Sequence, residues 1–211
     1  MHDRYSAYWR TLREFIDLVL VHEPGSVERR KPYDFGFLHV AVYSCVRDNF
    51  SARLYKDLRN HIQKYILKFK LEVDLASCFP SPVFIAQRYL GRKQTAQIRD
   101  RNIFKALHKI LPQFLQNLKL VVAWCYHLDR KYVKALNTDL KTEFLKMFCS
   151  EICDPVVDRM VATAQANYHD ISSDMKHSLL KHLYELNPKY ESRVQVFCSN
   201  IIQDQHDTNH A

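Results

Sequence analysis

Glycine and proline are scarce in this sequence. Its 211 residues include 3 glycines and 7 prolines, which are too few for the many tight turns of a β-sandwich or β-barrel. Helices need few of either residue. Because 47% of the residues are hydrophobic and 12% are aromatic, the chain is able to bury a core without disulfides or metals. The composition therefore predicts an all-α fold.

Long apolar runs are absent as well. No run reaches the ~18 residues expected of a membrane span, and Met1 to Arg4 lead into a polar and aromatic segment rather than an apolar signal-peptide region. The six cysteines are widely spread and mostly lie in apolar helical patterns, as reduced core thiols do. We expect no membrane partner and a cytoplasmic or nuclear location.

The common catalytic and metal signatures are also missing. The sequence contains no phosphate-binding glycine loop, no Gly-x-Ser-x-Gly, no His-Glu-x-x-His and no Cys-x-x-Cys. We therefore expect no enzymatic activity, no cofactor and no small-molecule substrate. Cys149 and Cys153 raise a zinc hypothesis, with His169, His177 and His182 as further ligands. Their spacing matches no standard zinc module, which favours two core thiols and three surface histidines.

Apolar residues recur at three- and four-residue steps along most of the chain, which predicts successive amphipathic helices. The first ends near Pro24 and Gly25, the second runs from an N-cap at Asp34 to Val46, and the third begins near Ser51. Further helical patterns cover residues 83–107, 115–133, 140–161 with a break near Pro155, 179–186 and 194–202, before a polar tail.

One segment concentrates much of the positive charge, in a chain whose formal net charge is +8. Between Arg88 and Lys109 the single acid is Asp100, and the basic residues are Arg88, Arg92, Lys93, Arg99, Arg101, Lys105 and Lys109. A basic helical nucleic-acid-binding domain is the alternative function that this segment raises. The positions spread around a helix, which favours a solvated basic face that recruits an acidic protein.

Three stretches together resemble the first repeat of the cullin family. Residues 34–43 (DFGFLHVAVY), 54–62 (LYKDLRNHI) and 127–133 (HLDRKYV) are similar to the second, third and fifth helices of that repeat, in the family's order and spacing. The resemblance covers about residues 8–136, and residues 140–161 are similar to the start of a second repeat. It implies a cullin-repeat-like helical bundle over 1–136, a partial second helical repeat over 137–203 and a disordered tail over 204–211.

The resemblance also implies a binding surface. In cullins the second and fifth helices bind BTB-type or Skp-type adaptors, and the matching positions here are Phe35, His39, Tyr43, His127 and Arg130. His39 and His127 stand where the family has tyrosines. Since each loses ring area and a hydroxyl, we expect ordinary cullin adaptors to bind weakly. The alternative interpretation is that Phe35 and Tyr43 are core residues, as aromatics at helical spacing usually are.

A complete cullin continues to a globular end that binds a RING protein and carries a lysine modified by a ubiquitin-like protein. This sequence ends before that region, so we expect that it is not a complete ubiquitin-ligase scaffold. It looks most like the short, kinase-associated members of the family. That resemblance implies a non-catalytic module that promotes the activity of a cyclin-dependent kinase during G1/S progression, or binds ubiquitin-ligase subunits. The sequence itself shows no kinase-docking motif.

Overall fold

The computed structural model describes residues 2–21, 35–78, 92–163 and 173–192. These residues form helices and contain no strand, which confirms the all-α prediction. In chain order the elements are α1 (His2–Val21), α2 (Phe35–Arg47), α3 (Ser51–Cys78), α4 (Arg92–Trp124), α5 (Tyr126–Lys131), a 3₁₀ turn (Val133–Leu136), α6 (Leu140–Phe148), a π-helical turn (Cys149–Cys153), α7 (Asp154–Thr163) and α8 (Ser173–Leu186). No helix among them is long and apolar enough to cross a membrane.

The predicted helices α1 to α3 agree with these bounds, while the N-cap predicted at Asp34 lies outside the described residues. The single helical pattern predicted over 115–133 is divided in the structure, because α4 ends at Trp124 and α5 begins at Tyr126. Between α2 and α3 the chain turns at Asn49, whose φ of 63° lies in the left-handed region that asparagine tolerates better than most residues. α4 continues through Pro112, which lies between the two helical patterns predicted over 83–107 and 115–133. The predictions for residues 83–91, for 194–202 and for the polar tail lie outside the described residues.

Two compact units divide the chain, one formed by Met1–Ile66 with Pro112–Met147 and the other by Leu67–Leu111 with Phe148–Ala211. The sequence division at residue 136, which follows the cullin repeats, stays a prediction. In the first unit α2 packs against α1 and α5. α1 also contacts α3, because the Tyr5 hydroxyl donates a hydrogen bond to Asp57 at 2.5 Å and the Tyr65 hydroxyl donates one to the Leu20 carbonyl. The rings of Phe15 and Trp124 pack edge to face.

The second unit has a core of its own. Phe104, Leu107, Val157 and Leu183 are fully or almost fully buried in it. Polar contacts also link distant parts of the chain within this unit: Lys70 Nζ lies 2.8 Å from Glu151 Oε2, His108 Nε2 lies 3.1 Å from Ser178 Oγ, and the hydroxyl of the buried Tyr190 donates to Asp154 Oδ1 at 2.7 Å.

The predicted break near Pro155 takes the form of a π-helical turn rather than a loop. In this turn the Asp154 N–H donates to the Cys149 carbonyl, five residues back. Pro155 has no N–H, and its ring would clash with the carbonyl four residues earlier in a regular α-helix. A widened turn directly before the proline removes that conflict. The chain therefore stays helical from Leu140 into α7 instead of separating into two helices.

Candidate protein-binding site

α2 carries an apolar row on its exposed side. Leu38 and Val42 are fully buried on the opposite side of the helix, which anchors it in the first unit. Phe37, Val40 and Tyr43 follow at three-residue steps and are 56%, 58% and 48% exposed. A helix with one buried face usually presents polar residues on the other. Exposed apolar side chains in a continuous row are instead typical of an interaction site.

Three aromatic side chains extend this row onto α5. The ring centroid of His127 lies 5.3 Å from that of Tyr43 and 6.5 Å from that of His39, with the two imidazoles perpendicular. The Tyr126 ring lies 5.6 Å from His127. These separations are those of edge-to-face aromatic pairs. His127 thus joins the outer side of α2 to α5.

Arg130 completes the group one helical turn further along. Its Nη1 donates a hydrogen bond to the Tyr126 hydroxyl at 3.1 Å, and both residues are exposed. A guanidinium has five N–H donors, so most remain for a carboxylate or carbonyl of a partner. We call this group the α2–α5 surface, defined by Phe37, His39, Val40, Tyr43, Tyr126, His127 and Arg130.

The stretch 127–133 that resembles cullins combines two kinds of residue. Leu128 and Val133 are fully buried, and Asp129 Oδ1 accepts a hydrogen bond from the Leu140 N–H at 2.7 Å. Asp129 and Arg130 are neighbours of opposite charge, but within the described residues they do not pair with each other, since Asp129 bonds to Leu140 and Arg130 to Tyr126. Leu128, Asp129 and Val133 therefore stabilise the fold, while the partly buried His127 packs against the rings of the surface and Arg130 is exposed.

The structure brings together four of the five residues assigned to partner binding: His39, Tyr43, His127 and Arg130. The side chain of Phe35 lies outside the described residues. Tyr43 is 48% exposed, so the alternative of a core position is wrong for it. Their role in binding stays a prediction.

Sequence reasoning missed Phe37, Val40 and Tyr126, which belong to the same surface. A signal for the first two was present, since Phe37 and Val40 fall three residues apart on the side of α2 away from Leu38 and Val42. No comparable signal marked Tyr126. The helix containing it has only six residues, too few for a periodic pattern.

The basic segment is only partly described. Arg88 lies outside the described residues, as do the side chains of Arg92, Lys93 and Arg99. Arg101, Lys105 and Lys109 follow at four-residue steps, which places them within about 80° of one another around α4. Lys105 and Lys109 are exposed and Arg101 is partly buried. The described part is thus a short row of cations along one helix.

Cys149 and Cys153 lie together in the π-helical turn, and both are buried. A hydrogen bond from the Cys153 thiol lowers the pKa of Cys149 to about 7, against the opposing effect of burial. Burial raises the pKa of Cys153. Within the described residues no three histidine, cysteine or carboxylate side chains form a group that could hold a metal ion, and His169 falls outside them.

Comparison with known proteins adds two findings. The family described as "Cullin: Cullin alpha solenoid domain" matches residues 9–204. The chain is also similar to CDK2-associated and cullin domain-containing protein 1 of Rattus norvegicus, with 24% identity over 155 residues. That alignment covers 73% of this chain but 38% of the rat protein. The chain therefore matches well under half of the length of that relative.

Proposed function

The chain belongs to the cullin alpha-solenoid domain family, and on that premise we propose that it is a non-catalytic module that binds a partner protein through the α2–α5 surface. A cullin-like protein-interaction module is what the family membership supports. The choice of surface rests on one observation. An exposed apolar row on α2 continues into the cluster formed by Tyr43, Tyr126 and His127, and Arg130 borders it.

The composition of this surface suits protein recognition. Tyrosine and arginine are, with tryptophan, enriched among the energetic anchors of interfaces, where neighbouring contacts exclude water around them. Buried residues fix both helices: Leu38 and Val42 on α2 and Leu128 on α5. Since the side chains stand on short, anchored helices, little conformational entropy is lost when a partner docks.

For the partner we propose a cyclin-dependent kinase complex in the cytoplasm or nucleus, whose activity the chain promotes during G1/S progression. Subunits of a ubiquitin ligase are the second class of partner that we propose. The printed name of the rat relative associates that protein with CDK2. The two histidines in place of family tyrosines, His39 and His127, favour the kinase complex over ordinary adaptors, because a pocket built for tyrosine loses contact area and a hydroxyl partner.

The test measures binding of purified chain to a cyclin-dependent kinase with its cyclin, by calorimetry or surface plasmon resonance. Tyr43→Ala with Arg130→Ala should weaken binding at least tenfold, since truncating one anchor typically costs ~2 kcal/mol. Lys56→Ala with Lys64→Ala is the matched control, because both lysines are exposed on α3 and belong neither to the α2–α5 surface nor to the basic segment. Circular dichroism should show unchanged helicity for both variants.

Adaptor binding is tested separately with a BTB-type and a Skp-type adaptor. His39→Tyr with His127→Tyr should strengthen their binding, because it restores the family's side chains. The proposal fails if the chain binds neither a kinase complex nor a ligase subunit. The choice of surface fails if binding occurs and the Tyr43 and Arg130 double variant retains it.

Nucleic-acid binding is a second candidate, favoured by the cation row of Arg101, Lys105 and Lys109 in a chain of net charge +8. If it operates, the protein should elute from heparin or DNA at a salt concentration that falls sharply in the Lys105→Ala, Lys109→Ala variant, as counterion release requires. Retention that does not change with salt would dismiss this candidate.

A further inference from the structure

The carboxyl-terminal half of α3 carries a second exposed apolar row. Leu67, Leu71 and Leu75 follow at four-residue steps and are 44%, 57% and 43% exposed. Phe69 and Val73, on the opposite side of the helix, are 5% and 6% exposed and anchor it in the second unit. Three leucines in line on one side of an exposed helix form the seam that helices use to pack against one another.

The charges beside this row mirror one another about Leu71. The segment reads Leu67-Lys-Phe-Lys-Leu71-Glu-Val-Asp-Leu75. At equal distances from Leu71 on its two sides, apolar residues correspond to apolar residues: Phe69 to Val73, and Leu67 to Leu75. Each lysine on the amino-terminal side corresponds to an acid on the carboxyl-terminal side: Lys70 to Glu72, and Lys68 to Asp74. Such a segment is complementary in charge to a second copy of itself that runs in the opposite direction.

Helix geometry turns this symmetry into specific contacts. When two copies pack antiparallel about a two-fold axis at Leu71, that leucine meets its own equivalent, and Leu67 meets Leu75. With a rise of 1.5 Å and a rotation of 100° per residue, Lys68 and Glu72 lie on the same side of the seam. Lys68 of one copy then stands about 3 Å, measured along the axis, from Glu72 of the other.

On the other side of the seam Lys70 and Asp74 form the equivalent pair. Each side of the antiparallel seam thus has two attractive pairs against one like-charge pair, in which Glu72, or on the other side Lys70, faces its own equivalent. A parallel arrangement reverses this balance, because Lys68 faces Lys70 and Glu72 faces Asp74 of the other copy while Glu72 with Lys70 is the attractive pair. Lys70 already has a partner in its own chain, Glu151 at 2.8 Å. Lys68 and Glu72 are exposed and make no ion pair within the part of the chain that the structure describes. Substitutions at these two positions therefore test the contact between copies more clearly.

We propose that this leucine row is a self-association surface on which a second copy of the chain docks antiparallel, with the two-fold axis at Leu71. The arrangement is isologous: the same patch serves both copies, as in most homodimers. Three half-exposed leucines cover far less than the ~800 Å² that each partner buries in a standard interface. The dimer is therefore weak, and its population rises with protein concentration.

The test is sedimentation velocity on the full chain over a concentration series. Lys68→Glu should raise the dissociation constant about tenfold, because it converts two attractive pairs per dimer into repulsive ones. Adding Glu72→Lys to the same chain should restore the original constant, since the swapped charges again face their opposites. Lys105→Glu is the matched control for a change of net charge and should leave the constant unchanged. Circular dichroism verifies that each variant keeps its helicity.

Cross-linking tests the register. A Leu71→Cys variant should cross-link to itself through residue 71, as read by peptide mass spectrometry, and Leu67→Cys should cross-link to Leu75→Cys in a mixture of the two. A chain that stays monomeric at every concentration overturns the proposal and leaves the row to a different protein. A double charge swap that fails to restore association, or cross-links in a parallel register, overturns the antiparallel arrangement on which it rests.

Discussion

Replacing Asp129 with alanine tests whether the cullin-like stretch 127–133 is in part a structural device. Asp129 Oδ1 accepts a hydrogen bond from the Leu140 N–H at 2.7 Å, at the first residue of α6. In the variant this partly buried N–H loses its acceptor. A hydrogen bond to a charged group contributes ~1.5–3 kcal/mol, and because Asp129 is partly exposed we expect a loss of about 1.5–2 kcal/mol.

The assay is thermal unfolding followed by circular dichroism at 222 nm. For a protein of this size a loss of about 2 kcal/mol lowers the melting temperature by roughly 4–8 °C. Asp129→Asn, which keeps an uncharged acceptor, should lose about half as much. The matched control is Arg130→Ala, the next residue, which faces outward and should change stability by less than ~0.5 kcal/mol. If Asp129→Ala is as stable as the control, the hydrogen bond to α6 contributes nothing and the structural interpretation of Asp129 is wrong.

Three other substitutions have defined outcomes. Asp139 accepts hydrogen bonds from the first turn of α6, so Asp139→Ala should cost about 1 kcal/mol in urea unfolding. The backbone hydrogen bond lowers the pKa of the Asp139 carboxyl below its ordinary value of 3.8. Its contribution to stability is therefore fully present above pH 3.8 and is lost as the pH falls through the lowered pKa. If Asp139→Ala loses stability in acid as steeply as the wild type, this assignment is wrong. Burial lowers the pKa of His61 despite Asp17 at 2.8 Å. The unfolded chain therefore takes up the proton first, and stability should decline as pH falls below 6.5. His61→Asn should make the free energy of unfolding in urea less dependent on pH between neutral and mildly acidic conditions. If the pH dependence is unchanged in this variant, it arises from other groups. Tyr5→Phe removes the hydrogen bond to Asp57 from a residue that is 1% exposed and should cost about 1 kcal/mol, which thermal unfolding detects; an unchanged melting temperature refutes a stabilising role for this bond.

The residues that match the cullin family most closely are not necessarily the ones that bind a partner protein. In the stretch 127–133, the apolar side chains of Leu128 and Val133 indicate core positions, and the structure buries both. Asp129 and Arg130 are neighbours of opposite charge, and nothing in the sequence shows that their roles differ. Only the tertiary structure separates them, because α6 passes within hydrogen-bonding distance of Asp129 while Arg130 turns towards Tyr126.

The sequence by itself determined the fold class and most helix positions of the described first half. A repeat of apolar residues every three or four positions is a local property, and local hydrogen bonding decides whether a helix forms. The same pattern cannot state which of two apolar sides of a helix is buried, since both satisfy the period. On α2 and on the carboxyl-terminal half of α3 that choice depends on which neighbouring helices pack against them. Tertiary packing therefore decided that Phe37, Val40 and Tyr43 are exposed on α2, and that Leu71, rather than Phe69 or Val73, is exposed on α3.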